Sequence, residues 1–433
     1  MRGRLIAGVV VVAELFMLDG NMKHFFFFPV FLGIAVAAGA EKEVPTLEGV
    51  LREALSSNPE LAAQFDRVKA SRQIGTQVGA LPDPKLSYTE FVSQVETRTG
   101  PQERAVSLTQ AFPWPGKLTL RKGIADEQAR ALFYQFETRQ RQLVREVGLA
   151  FYDYAFLGEA RRVTAKNLEL LRQLTPTVDT KVRAGGDLSA SLRLEVESTR
   201  VKDQLQTLDE QRAALSSRIE SLMGRTPSLD SPFTFPMLPG RTPKVEGIES
   251  LEAAVAGHPL IEAAESGVLS ADLAERLSRK SALPDINVGA NVIDIGSGGD
   301  TAVGVMVGVS IPLAFDKYRA EQIEKSELAS AARADVTSIQ QRLQADLHRA
   351  YQAWREARER LELFRTQLLP AAEQALELTE ESYRGDKASV TDLIDAERTL
   401  LDLQLMNQRA LASAHKAALE IRTLTEPLSV SQK

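Results

Sequence analysis

The 433-residue chain contains no cysteine, so neither a disulfide framework nor a thiolate metal site can be built. Histidine is almost as scarce, with four in all. His24, His258, His348 and His415 share no spacing with carboxylates that would make a metal site. No glycine-rich phosphate loop follows a strand, and no nucleophile elbow is present. Gly296-Ser297-Gly298-Gly299 falls between two strand-like segments and reads as a loop. No catalytic constellation emerges, and neither enzymatic activity nor a cofactor is expected. Aromatic residues are only 6% of the chain while charged residues are 25%, a balance that suits long exposed helices better than a thick globular core. The formal net charge of −6 argues against nucleic acid as a partner. Beyond the N-terminus no segment is long and apolar enough for a transmembrane helix.

The N-terminus reads as an export signal. Met22-Lys23-His24 opens a short basic region, Phe25 to Val36 is an apolar run, and Ala38-Gly39-Ala40 is a small-x-small cleavage site. Residues 1–40 are thus expected to be a signal peptide, with Met22 rather than Met1 the expected initiator and Glu41 the expected first residue of the mature chain. The alternative is a membrane anchor over Leu5 to Leu18, which Glu14 and the short length disfavour. No lipid-attachment cysteine follows the cleavage site.

The remaining chain is duplicated with a shift of about 200 positions. Asn58-Pro59-Glu60-Leu61 answers to His258-Pro259-Leu260-Ile261, Leu81-Pro82-Asp83 to Leu283-Pro284-Asp285, and Lys117 to Lys317. The first repeat spans 41–245, with strands near 85–112 and a helical hairpin over 117–223. The second spans 246–425, with strands near 285–312 and a hairpin over 317–424. Residues 426–433 read as a disordered tail.

Each hairpin carries an apolar seam in steps of three and four. The first runs through Leu143, Val147, Ala150, Tyr154, Leu157, Thr164, Leu168 and Leu171. The second runs from Leu328 through Ala332, Val336, Ile339, Leu343, Leu347, Ala350, Trp354, Ala357, Leu361 and Phe364 to Leu368, and returns along Leu393, Leu400, Leu403, Leu411, Ala414, Ala418 and Ile421. A helix from Lys117 to Lys181 would be roughly 98 Å long at about 1.5 Å per residue, with Pro176 disturbing its last turns and Pro370 doing the same in the second repeat. The tips are Arg183-Ala184-Gly185-Gly186-Asp187-Leu188-Ser189 and Tyr383-Arg384-Gly385-Asp386-Lys387-Ala388-Ser389. Gly385 supplies the freedom a reversal needs, and Ser389 with Asp392 reads as a capping box.

Between first helices and hairpins lie strand pairs. Lys85 to Ser93 is one strand, Thr97 to Glu103 the loop, and Arg104 to Phe112 the second. Val106, Leu108, Gln110 and Phe112 alternate with Ala105, Ser107, Thr109 and Ala111. In the second repeat Val288, Ala290 and Val292 alternate with Asn287, Gly289 and Asn291. Val303, Val305, Val307 and Val309 alternate with Gly304, Met306, Gly308 and Ser310. Strands of about nine to eleven residues can cross a bilayer when tilted, yet four alone would leave unpaired edges in lipid. Only several chains pooling strands into one closed barrel would span it. At the joints that follow, Trp114 and Phe315 sit either at a membrane–water boundary or packed at the strand–helix junction.

Export signal, duplication and the tip Tyr383…Asp392-Leu393-Ile394-Asp395-Ala396 together resemble the TolC-like outer-membrane efflux proteins, over essentially the whole mature chain. The resemblance implies a mainly α fold with membrane β: a homotrimer whose twelve-stranded β-barrel, four strands per chain, sits in outer-membrane lipid above a periplasmic α-helical barrel. It implies an exit duct of a tripartite efflux system, with a periplasmic adaptor and an inner-membrane transporter of the proton-driven kind as partners. It places the adaptor contacts at the tips, at Gly185, Gly186, Tyr383, Gly385 and Ser389, and a periplasmic gate at Asp392 and Asp395. A ring of such acids would raise one another's pKa and attract cations. Gly385-Asp386 stand one place off the family's usual tip pattern, and the first tip carries no matching acidic pair. Phe112-Pro113-Trp114-Pro115-Gly116-Lys117 looks like the joint of the heavy-metal cation branch, although the seven methionines form no soft-ligand cluster. The competing reading is an exported coiled-coil structural or adaptor protein without a transmembrane barrel.

Overall fold

A computed structural model describes residues 45–427 except 99, 186, 229–232, 297 and 298. The expected signal peptide, its cleavage point, Gly186 and the tail from 428 onward lie outside the described residues.

The first helices start where the repeat motif places them. Thr46 caps α1 (Leu47–Ser57), its hydroxyl accepting the Gly49 N–H at 3.2 Å. Pro59 opens α2 (Pro59–Gly79), with Asn58 accepting from the Glu60 and Leu61 N–H groups. A first-turn proline loses nothing, because its N–H would be an orphan anyway. The second repeat copies the arrangement. After the short α5 (Ile248–Val255), Pro259 opens α6 (Pro259–Ser281) and His258 Nδ1 accepts the Leu260 N–H at 3.1 Å.

The four strands form one antiparallel sheet, β1 (Lys85–Thr97), β2 (Gly100–Phe112), β3 (Ile286–Ile295) and β4 (Ala302–Val309), in that order. The expected loop over Thr97 to Glu103 is much shorter than anticipated. Gly100 takes φ +134°, a conformation open to glycine, and Pro101 stays in register opposite Glu96 while its carbonyl accepts the Gly296 N–H.

The register brings the apolar alternations onto one face. Leu86 lies opposite Leu108, Leu108 opposite Ala290, and Ala290 opposite Val305. Tyr88, Val106, Val292 and Val303 form the next row. The opposite face is small and polar, with Ser87 and Ser107 sharing a 2.8 Å hydrogen bond and Asn291 facing Gly304. Gln110 falls in the apolar face, and its amide turns back to the Pro82 carbonyl at 2.7 Å.

Helix α3 (Lys117–Arg183) runs 67 residues, about 100 Å at about 1.5 Å per residue. It carries Pro176 inside it without an assigned break. Helix α4 (Leu188–Leu222) returns from the tip. The second hairpin differs. Helix α7 (Phe315–Leu363) starts two residues before Lys317, and a π-helical turn (Phe364–Leu368) precedes α8 (Leu369–Arg384). Pro370 cannot donate to the residue 366 carbonyl and crowds it, and a widened turn absorbs that conflict. Helix α9 (Val390–Thr425) closes the hairpin.

The first seam is buried along its expected length, from Leu143 at 1% exposure to Leu171 at 1%. Burying a leucine contributes about 1.5–3 kcal/mol, so these rows hold α3 against α4 and α9. The second seam is buried from Leu343 to Leu361, but Leu328 remains 51% exposed. The proline-rich segment after α4 packs back on the long helices. The fully buried Tyr154 donates its hydroxyl to the Phe233 carbonyl at 2.5 Å, and Trp354 donates to the Pro243 carbonyl at 3.1 Å.

Candidate functional site

Two regions gather the residues singled out from the sequence: the paired tips and the sheet with its joints. At the first tip α3 runs out at Ala184, and Gly185 takes φ +103°. Asp187 then caps α4, its carboxylate accepting the Ser189 N–H at 2.9 Å. At the second tip Gly385 has φ −88°, an ordinary value. The left-handed residue is Asp386, at φ +59°, alone among the described non-glycine residues. The reversal expected of Gly385 is therefore made one position later, by a residue type that tolerates this region better than most.

The capping box is present. Ser389 Oγ accepts the Asp392 N–H at 3.2 Å, and Asp392 Oδ2 accepts from the Ser389 N–H and hydroxyl, each at 2.8 Å. Those bonds hold the Asp392 carboxyl below its usual range in the single chain, the reverse of the shift expected for a ring of facing acids. Asp392 and Asp395 both lie on the exposed side of α9. Asp395 has Arg398 at 3.7 Å as its only ion-pair partner among the described residues.

Contacts between the two hairpins were not legible in the sequence. Lys181, near the end of α3, reaches across to the second tip. Its Nζ donates to Asp386 Oδ1 at 2.6 Å and to the Tyr383 carbonyl, and lies 4.2 Å from the centre of the Tyr383 ring. Arg193 on α4 donates to Thr391 Oγ1 at 2.9 Å. Glu197, 3% exposed, takes Arg200 from its own helix at 2.6 Å and Arg398 from α9. Burial would raise its pKa, but the two guanidiniums hold it below the usual carboxylate range.

About two turns into α9, Glu397 is 2% exposed and accepts from Asn167 Nδ2 at 2.6 Å, leaving Oε1 without a partner. Burial first, and then the charge of Glu380, push its carboxyl up to about 7.

The joints are unlike one another. Trp114 is half-buried and its backbone N–H donates to Asp285 Oδ1 at 2.7 Å, whereas Phe315 is 74% exposed. Lys117 is buried and donates to the Leu283 carbonyl and to Asp285, both at 2.8 Å. Residues that marked the duplication thus clamp the foot of β3 to the start of α3. Among the described residues no group of three or more His, Asp or Glu could hold a metal ion, and no helix is long and apolar enough to cross a membrane.

Residues 251–425 match the model of a family described as outer membrane efflux protein. The cobalt-zinc-cadmium resistance protein CzcC of Cupriavidus metallidurans is 24% identical over 394 residues, covering 89% of this chain and 85% of its own. Among solved structures, the outer-membrane channel OprN superposes with a TM-score of 0.76 at 18% identity, over 88% of this chain and 90% of its own. CusC, described for its transmembrane channel formation, gives 0.76 at 13% identity over 88% and 91%. The outer membrane protein VceC of Vibrio cholerae gives 0.75 at 17% over 88% and 96%. The resemblance drawn from the repeat and the second tip is borne out.

Proposed function

We propose that this TolC-like outer-membrane efflux chain is the exit duct of a tripartite efflux system, passively conducting substrate handed on by an inner-membrane transporter and a periplasmic adaptor. The observation that carries this reading is the apolar band across one face of the four-stranded sheet. Val303, Val305, Val307 and Val309 are 54–80% exposed, and Leu86, Tyr88 and Val106 continue the band. Exposed apolar area of this extent on an ordered sheet marks a surface meant for something other than water. The sheet's outer edges, β1 and β4, have no strand partner among the described residues. Three copies joined edge to edge would close a twelve-stranded barrel and satisfy both edges in lipid. The ~100 Å helical hairpins then supply the periplasmic tunnel. A secreted coiled-coil protein would account for the seams but not for the band.

In this reading Asp392 and Asp395 face the narrow periplasmic mouth, where copies bring their carboxylates together. The Lys181, Arg193 and Glu197 contacts tie the two hairpins of each chain, and the duct opens when the adaptor draws the second hairpin away. Similarity to CzcC and the Phe112–Lys117 joint favour metal cations as cargo. Fractionation tests the reading: the protein should run with outer membranes as a heat-modifiable oligomer, and recovery as a soluble monomer or dimer would refute it. Growth of a deletion strain on cobalt, zinc and cadmium, compared with dyes and detergents, tests the cargo.

A further inference from the structure

Midway along the molecule, away from tips and sheet, a cavity of about 300 Å³ lies where α3, α6, α7 and α9 converge. Four arginines line it, Arg141, Arg145, Arg342 and Arg349, in a chain whose net charge is −6. Two carboxylates also line it, and both are engaged: Glu420 holds Arg145 at 2.5 Å and Asp346 holds Arg349 at 2.8 Å. Arg141 and Arg342 make no ion pair with any described residue. Arg141 is half-buried, and among the described residues its only hydrogen bond is a long one, to the Thr423 carbonyl at 3.3 Å. Glu137, a turn back on α3, acts on it only at a distance. A cation removed from water without a counter-charge is unfavourable, so the site is short of negative charge.

A second observation is independent of the arginines. His258 also lines the cavity and is 5% exposed. Its Nδ1 is used to cap α6 by accepting the Leu260 N–H, which places the ring proton on Nε2. Nε2 has no hydrogen-bond partner among the described residues. Burial, then the charge of Arg141, push the imidazole pKa down to about 4. At neutral pH His258 is therefore an uncharged donor beside an unpaired guanidinium, at a helix N-terminus that favours anions.

We propose that this cavity binds a small oxyanion, a phosphate or a carboxylate, held by Arg141 and Arg342 with His258 Nε2 as a neutral donor. Guanidinium forks fit both oxyanions in bidentate fashion, and a halide offers no such match. Bound there, the anion would join the first repeat's α3 to the second repeat's α6, α7 and α9.

Thermal unfolding of the purified, assembled full-length protein tests this, in inorganic phosphate, in succinate, and in chloride at matched pH and ionic strength. Phosphate or succinate should raise the Tm saturably above the chloride value, as expected for a ligand of the native state. The one with the larger effect identifies the oxyanion. Arg342→Gln removes an exposed arginine and should fold normally while weakening the response at least about tenfold in midpoint concentration. Arg141→Gln should abolish the response and, in chloride, unfold no lower than wild type, because it removes an uncompensated charge. Equal Tm values in all three salts, or an undiminished response in Arg342→Gln, would overturn the site.

Discussion

Glu397 is the residue whose protonation the fold constrains most visibly outside that cavity. Its folded pKa of about 7 stands above the ordinary 4.5. The native state thus keeps a proton that the unfolded chain releases, and stability present below about pH 4.5 is lost as pH rises through about 7. The whole effect is on the order of 3 kcal/mol. Glu397→Gln keeps an acceptor for Asn167 and removes the titration. The variant should match wild type near pH 4 and exceed it at pH 8 in denaturant unfolding of the helical signal. Parallel pH profiles for the two proteins would contradict this assignment. Asp386 provides a second test at this scale. Its ion pair with Lys181 is 85% exposed on the aspartate side, and exposed pairs contribute little. Asp386→Asn should be nearly neutral, whereas Asp386→Ala should cost about 1 kcal/mol because alanine is poorly suited to positive φ. Equal losses would assign the tip's stability to the ion pair. The chain announces Ser389 with Asp392 by a three-residue spacing, and it announces a reversal. Which of Gly385 and Asp386 takes the left-handed conformation depends on how α8 ends, and that in turn follows from tertiary contacts of Tyr383 and Lys181.

At the scale of elements, periodicity did most of the reading. Alternation located the strands, and threes and fours located the seams, because each records a burial pattern that local sequence must satisfy. Three features escaped it. The loop after Thr97 looked long because Gly100-Pro101 usually signals a turn, yet both residues fit inside β2. Pro176 and Pro370 looked alike, and only the second directly follows a π turn. The Lys117–Asp285 clamp joins groups 168 positions apart, and nothing local marks it. The sheet makes the sharpest prediction at this scale. Val305 and Val307 are 80% and 69% exposed. An arginine at either position should cost ~2–4 kcal/mol if it meets the bilayer midplane, seen as lost oligomer in outer-membrane fractions. If both variants assemble in normal yield, the apolar band does not face lipid.

For the molecule as a whole, the duplication was the most informative single feature, since it made two hairpins and two strand pairs consequences of one unit. The four-arginine cavity was invisible for the opposite reason. Its arginines come from two helices, α3 and α7, its other lining residues bring in α6 and α9, and they share no motif. The proposed gate stands between these extremes. The three-residue spacing of Asp392 and Asp395 puts them on one helix face, but the proposed meeting with copies from other chains would be a property of the assembly. Replacing both with asparagine should lower cation selectivity and relieve block by divalent or trivalent cations from the periplasmic side. Unchanged selectivity and block in a correctly assembled trimer would leave Asp392 as a helix cap and put the gate elsewhere. The proposed gate and the lipid-facing band both depend on the protein being a pore. Single-channel recording from the purified wild-type oligomer in a planar lipid bilayer measures that directly. Discrete, cation-selective conductance steps are expected, and oligomer that inserts stably yet never raises conductance above that of the bare bilayer would contradict the assignment.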